Sequence, residues 1–402
     1  MIPRNTFAGL ILALLFASHS IAGPDRLLVV LSEATSITLK NGKQHPTGYF
    51  LSELMVPVDA VAKLGYEIVV ATPTGKAPTV DRSSEAQTYF KDEAEYKRLR
   101  AIHASMATVR SPLSLRTLDL KSLSSFDGVF FPGGHAPITD LIKDPDVSRV
   151  LRHFHDRGLP TALICHGPVA LLASREKDAP WIYKGYQMTG FSTAEEKVAE
   201  SGALGGEIGF YLDEALREAG GMVSTGPLWK SRAVRDRELI TGQNPASDQE
   251  LAKHLLIALA ETRLKRATQV VEVTPGLDRF ESGRLYQVTP FPKDWRSGVT
   301  NVYIGARLPG VDRDRFQKVL GAHLVNAKRV FGPAGMRGYV VLSDGNGEIA
   351  LMNWASKAAL EGAAKAQGRE AVLKESAEIL EELVFDTLSD PRRLDHPALP
   401  RP

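Results

Sequence analysis

Cys165 is the single cysteine of a 402-residue chain, and it stands in the run TALICHGPVALLAS, between an apolar segment and one of helical composition. A strand ending at such a turn presents its last side chain at the carboxyl edge of a sheet, where open α/β proteins bind ligands. Backbone N–H groups at the start of the following helix favour a thiolate, so the thiol pKa is expected to be low. His166 comes next, and Gly167 permits close approach of the backbone. The chemistry this points to is that of a reactive thiolate. The other reading of a free cysteine is a small buried hydrophobe. One cysteine excludes an intramolecular disulfide and cysteine-rich zinc sites.

The elements that must hold Cys165 follow an alternating order. Residues 27–31 and 67–71 are apolar runs suited to strands buried on both faces, and 51–64 between them reads as a helix closed by Gly65. Residues 127–131 and 161–164 supply two more strands, the first running into Pro132-Gly133-Gly134 and the second into Cys165. A helix near 146–157 carries Val147, Val150, Leu151 and Phe154 on one face. His153 and His155 on that helix diverge by about 200°, which makes a metal pair improbable and suits surface histidines. An extended segment at 233–241 and a helix with Leu251, Leu255 and Leu259 inward complete the series. Alternation of this kind predicts a parallel sheet covered by helices. The stretches 81–109 and 174–209 break the rhythm and read as insertions able to roof a site. Gly202, Gly205, Gly206 and Gly209 do not follow a strand directly, as a dinucleotide loop requires.

Beyond about residue 263 the composition shifts. Residues 265–296 read as a linker. Then a strand at 302–308, a helix at 312–329, two strands flanking Asp344-Gly345-Asn346-Gly347, a helical stretch at 356–383 and a last strand at 384–388 give the order βαββαβ. That order predicts a ferredoxin-like α+β domain over 297–390, with a tail at 391–402. At the other end, Arg4, the apolar run 10–16 and Ser20-Ile21-Ala22 have the form of a signal peptide over 1–22, cleaved before Gly23. The apolar core is shorter than the roughly 20 residues that span a bilayer. The expected product is exported, periplasmic or secreted, and free of the membrane after cleavage. With 49 Lys+Arg against 47 Asp+Glu, a net charge of +2 gives no strong field for nucleic acid.

Four segments in order, TGYFLSEL, FDGVFFPGGHAPITDL, LICHGPVALLAS and LITGQNPAS, resemble the ThiJ/PfpI (class I glutamine amidotransferase-like) superfamily, over roughly Arg26 to Thr262. The Cys-His adjacency is similar to its heat-shock chaperone and glyoxalase III branch. The resemblance implies a flavodoxin-like parallel sheet in a domain spanning 23–264, with Cys165 on a nucleophile elbow. It makes Cys165 the nucleophile, His166 its base and Glu53 the acidic residue beside the thiol. Gly133, Gly134 and Gly167 then belong to the oxyanion- and substrate-binding backbone. The branch supplies a downstream acid to orient the imidazole, and MTGFSTAEEKVAE offers Glu195 and Glu196, with Glu196 preferred.

The activity implied is a glyoxalase III-like conversion of methylglyoxal or related 2-oxoaldehydes to 2-hydroxy acids, with no cofactor and no metal. A holding chaperone, a thiol redox sensor and a cysteine amidase or peptidase are the alternatives from the same superfamily. The C-terminal part, through its element order and NWASKAALEGA, resembles dimeric α/β-barrel proteins of the antibiotic-biosynthesis-monooxygenase type. That implies a homodimer formed by pairing two such sheets.

Overall fold

The computed structural model of the protein describes residues 25–267, 269–274, 284–343 and 345–388. The signal peptide expected over 1–22 and the tail expected over 391–402 lie outside the described residues. In chain order the first domain contains β1 (Arg26–Val30), β2 (Ser36–Thr38), β3 (Gln44–Pro46), α1 (Leu51–Lys63), β4 (Glu67–Thr72), α2 (Glu93–Ser105), α3 (Ala107–Arg110), β5 (Leu113–Ser114), α4 (Leu120–Leu123) and β6 (Gly128–Phe131). It continues with α5 (Pro145–Asp156), β7 (Thr161–Ile164), β8 (Gln187–Met188), α6 (Thr193–Ser201), α7 (Leu212–Glu218), β9 (Met222–Val223), β10 (Ala233–Asp236), β11 (Leu239–Gly242) and α8 (Asp248–Arg266).

The main sheet has the order β10-β11-β7-β6-β1-β4-β5. All its pairs are parallel except β10 with β11. The inner five strands, β4-β1-β6-β7-β11, have the flavodoxin-like order, which reverses direction beside β1 and opens a crevice at the carboxyl ends there. The unbroken apolar runs are what a sheet covered on both faces requires: Leu27 to Val30, Val129 to Phe131 and Ala162 to Ile164 are fully buried. On α5 the Asp144 side chain caps the first turn by accepting from Asp146 N and Val147 N, Pro145 sits at the first helical position, and the predicted apolar face is buried. The polar side of α5 departs from the sequence reading. His153 is 6% exposed, and His155 Nδ1 lies 2.8 Å from Glu238 Oε1, so neither is a merely solvated surface histidine.

The second part contains β12 (Gln269–Glu272), β13 (Arg284–Thr289), β14 (Val299–Arg307), α9 (Arg313–Phe331), β15 (Met336–Ser343), β16 (Gly347–Trp354), α10 (Lys357–Ala363), α11 (Arg369–Ala377) and β17 (Leu380–Thr387). Its sheet order is β12-β13-β15-β16-β14-β17. The last four strands form the ferredoxin-like arrangement expected from βαββαβ. The segment 265–296 is not a plain linker: it supplies β12 and β13 to this sheet, and Trp295 within it is fully buried. Scattered charges and prolines hid an alternating strand whose Leu285 faces one side and whose Tyr286 and Val288 face the other.

Both faces of this second sheet are covered. Phe316, Leu320 and Leu324 of α9 pack on Tyr339, Val341 and Ala350. Val302, Ile304, Val340, Leu342, Ile349, Leu351 and Val384 on the opposite face join the core of the first domain, where α8 meets β14 and β17. Ion pairs Lys63–Glu381 and Lys253–Asp386, each 2.7 Å, flank that contact. The face through which two such sheets were expected to pair in a homodimer is therefore occupied by this chain's own helices. A chain cut after Leu264 should lose stability, because several side chains, each contributing about 1.5–3 kcal/mol, would lose their cover. At about 2–4 °C per kcal/mol, the melting temperature should drop by roughly 10 °C or more. Calorimetry that found the shortened chain as stable as the full one would refute this account of the interface.

Candidate active site

Two strand carboxyl ends and one helix start meet in the crevice beside β1. The turn after β7 carries Cys165, the turn after β6 carries Gly133, Gly134 and His135, and the first turn of α1 carries Glu53. Cys165 has φ +58°, a left-handed conformation that a side chain with a Cβ adopts only under constraint. Its backbone is fixed on both sides: Cys165 N–H donates to Gly242 O and Cys165 O accepts from Phe191 N–H, both at 2.9 Å. A Cβ on Gly133 would lie 2.6 Å from both Cys165 Cβ and Glu53 Oε2, so only glycine lets the β6 turn reach the thiol. Gly134 has φ +88° and is pressed against Gly48 O, and its N–H faces the sulfur. Gly167 passes beneath the end of β6, against Phe131 O.

His166 Nδ1 is 3.5 Å from Cys165 Sγ, and His166 Nε2 is 2.6 Å from Glu196 Oε2. With Nε2–H donated to a carboxylate, the lone pair of the neutral ring is on Nδ1, facing the thiol as a base must. Burial and the neighbouring His135 push the His166 pKa below its ordinary value, against the pull of Glu196. Burial would raise Glu196, but His166 and His135 outweigh it and hold the carboxylate at about 2. Glu196 is thus ionised across the neutral range.

Glu53 is fully buried. Burial first, and the charge of Asp248 next, raise its pKa to about 8, against the thiol and the Gly133 N–H. Its Oε2 accepts Gly133 N–H at 3.1 Å, while Oε1 is buried without a partner, the position for a carboxyl proton to be offered. The low thiol pKa expected from the sequence is not found. Burial pushes Cys165 well up, ionised Glu53 would push it further, and only Gly134 N–H opposes them. The segment that follows, 167–174, is a 3-10 helix rather than an α-helix, so no long row of aligned peptides faces the sulfur.

The adjacent glutamates divide cleanly. Glu195 does not touch His166. It closes a capping box with Ser192 and accepts from Trp229 N–H (2.8 Å), Asn244 Nδ2 (2.7 Å) and Gln243 Nε2 (3.0 Å). The S-T-A-E spacing carried that signal in the sequence. His135 is the residue the sequence reading passed over: its Nε2 lies 3.0 Å from Glu196 Oε1, and its ring is 4.2 Å from that of His166. It stood in the PGGHAP turn, but nothing in the spacing of His135, His166 and Glu196 marks them as a group. Their ligand atoms lie within 4.8 Å of one another, so among the described residues this trio has the donor set for a metal ion. Hydrogen bonds within the trio account for the same geometry. The insertion 174–209 does roof the site, through Phe191, whose ring is 4.5 Å from His166, and through α6.

The sequence profile described as the DJ-1/PfpI family matches residues 47–258. The protein/nucleic acid deglycase HchA of Escherichia coli O157:H7 is 28% identical over 234 residues, covering 58% of this chain and 80% of that protein. The protein of the same name from Staphylococcus aureus strain MSSA476 is 27% identical over 236 residues, covering 58% and 78%. Among solved structures, the Rapid Encystment Protein 24 KDa of Francisella tularensis superposes with a TM-score of 0.51 at 26% identity, covering 58% of this chain and 99% of that one.

Proposed function

The chain belongs to the DJ-1/PfpI family, and from that premise we propose that it is a cysteine-dependent enzyme that converts methylglyoxal and related 2-oxoaldehydes to 2-hydroxy acids without an added cofactor. The observation that carries the reading is the position of Cys165, at a strained turn between a carboxyl raised to about 8 and a histidine whose Nδ1 faces the sulfur. The thiol adds to the aldehyde carbon: a C–S bond forms, and the thiol proton passes through His166 to the aldehyde oxygen, giving a hemithioacetal. His166 then takes the hydrogen of that carbon as a proton, and an enediol forms with Glu53 donating to the neighbouring oxygen. Return of the proton from His166 to the second carbon, with the hydroxyl proton of the first carbon passing to ionised Glu53, leaves a thioester of the 2-hydroxy acid and restores both groups. Water cleaves it, releasing the acid and restoring the thiol. One carbon is oxidised as its neighbour is reduced, so the sequence needs no outside oxidant.

The relatives named protein/nucleic acid deglycase support the same reading. An adduct of a 2-oxoaldehyde with an amine or thiol presents the same pair of carbons to the same groups. The balanced charge argues against gripping a nucleic acid strand and is silent on a glycated base as substrate. Redox sensing has less support, since a thiol 4% exposed and pushed up by burial is slow to meet and reduce an oxidant. Export by a leader over 1–22 is part of the proposal, and cleavage before Gly23 is checked by N-terminal sequencing of the secreted protein.

The test is purified protein with methylglyoxal and no glutathione, with lactate measured; no lactate above the uncatalysed rate would overturn the proposal. The pH profile adds a second prediction. His166 must be neutral, and its lowered pKa places the acid limb of kcat/KM below about pH 6.5. Glu53 must be protonated to donate, so the rate should fall again as pH rises through about 8. Glu53→Gln, which keeps a donor and cannot ionise, should lose the alkaline limb. An alkaline limb that stays in that variant removes Glu53 as its origin.

A further inference from the structure

Among the described residues only three non-glycine residues have positive φ, and two of them, Cys165 and Trp229, belong to this region. Trp229 has φ +58° and is 45% exposed, whereas the chain's other three tryptophans are buried. A bulky exposed residue is held in that conformation by a fully buried anchor: Trp229 N–H donates to Glu195 Oε1, and Glu195 is itself fixed by Ser192, Gln243 and Asn244. Strain of this kind survives only where surrounding structure imposes it, and it concentrates at ligand sites. The indole continues a row of rings. His166 meets Phe191 at 4.5 Å, and Phe191 meets Trp229 at 5.7 Å. Phe191 N–H is also bound to the carbonyl of Cys165, so the row starts at the nucleophile and ends at solvent.

We propose that Trp229 is a specificity-determining residue that selects 2-oxoaldehydes bearing a planar aromatic substituent over methylglyoxal; this rests on the function proposed above and names its substrate class. With bonds of about 1.5 Å, methylglyoxal joined to sulfur at C1 extends only about 2.5 Å beyond that carbon. A phenyl ring in place of the methyl group lengthens the substrate by about 3 Å along the row of rings toward the indole, where offset or edge contacts between rings are favourable. The contact is made by bound substrate and does not touch the reacting atoms, so it acts mainly on KM.

The experiment compares initial rates on phenylglyoxal and methylglyoxal, with mandelate and lactate measured as products, in the full-length wild type, Trp229→Ala and Trp229→Phe. The ratio of kcat/KM for phenylglyoxal to that for methylglyoxal should fall about tenfold in Trp229→Ala, through KM of phenylglyoxal. In Trp229→Phe it should return to within about threefold of wild type. A loop disturbed by the substitution slows both substrates alike and leaves the ratio unchanged, and an unchanged ratio overturns the inference. Failure of the functional reading looks different: wild type then turns over neither substrate. In that event mandelate added to Cys165→Ala protein decides the matter, since quenching of tryptophan fluorescence that survives Trp229→Phe shows that the indole is not a ligand contact.

Discussion

Cys165→Ala should abolish lactate formation from methylglyoxal, a loss of about 10⁴-fold or more, because no other group in the site forms the covalent intermediate. The protein should remain folded. Alanine carries the same Cβ into the same left-handed turn, so the strain at φ +58° is neither added nor relieved. The missing sulfur leaves a small void in a buried position, costing on the order of 1 kcal/mol. Removing the thiol also removes the neighbour with which Glu53 competes for a proton. Melting temperatures of the two proteins should agree within about 4 °C. Cys165→Ser tests the element itself: the hydroxyl occupies the same place but gives up its proton far less readily, and it should be almost as inactive. A variant lacking the thiol that still produces lactate at the wild-type rate would refute covalent catalysis at Cys165.

What the sequence disclosed follows from where each signal is stored. The strands under the site announce themselves because a sheet covered on both faces demands unbroken apolar runs, and the turn after β7 follows from the stop at Cys165. The βαββαβ order of the second domain was legible for the same reason, through alternation and through Gly345 and Gly347 where β15 turns into β16. The cover over its second sheet face was not, since the apolar residues of α8 look the same whether they meet one sheet or two. His135 escaped because its significance lies in a carboxylate 61 residues away. The thiol pKa was misjudged because a local argument from helix start positions was set against burial, a property of the whole fold. Gln243 and Asn244 in LITGQNPAS gain a physical meaning only in three dimensions: they hold Glu195, and Glu195 holds the loop of Trp229.

The neighbours Glu195 and Glu196 offer the sharpest separation of roles, since the same substitution at adjacent positions should produce opposite phenotypes. Glu196 accepts from two imidazoles, one on each oxygen. In Glu196→Gln one oxygen becomes an NH2 group that donates, so one histidine must surrender its Nε2 proton. If His166 does so, its proton moves to Nδ1, the face that should receive the thiol proton, and the base is lost. Replacement of a triad carboxylate by its amide in a serine protease costs about 10⁴ in rate through the same tautomer error. A loss of about 10³- to 10⁴-fold in kcat is expected here, with KM within a few fold of wild type. The variant also removes a charge whose pKa of about 2 lies below the unfolded value. That charge stabilises the fold above about pH 4.5 and ceases to do so as the pH falls toward 2. The difference in stability between wild type and Glu196→Gln should therefore shrink on acidification. Glu195→Gln places an NH2 group among donors only, from Ser192, Trp229, Gln243 and Asn244. At least one buried group is then left unpaired, at about 1–3 kcal/mol. Its signature is a lowered melting temperature, with kcat on methylglyoxal reduced far less than in Glu196→Gln. If the kinetic defect appeared at Glu195 and the thermal one at Glu196, the orientation of His166 by Glu196 would be wrong, and with it the direction in which the site moves its proton.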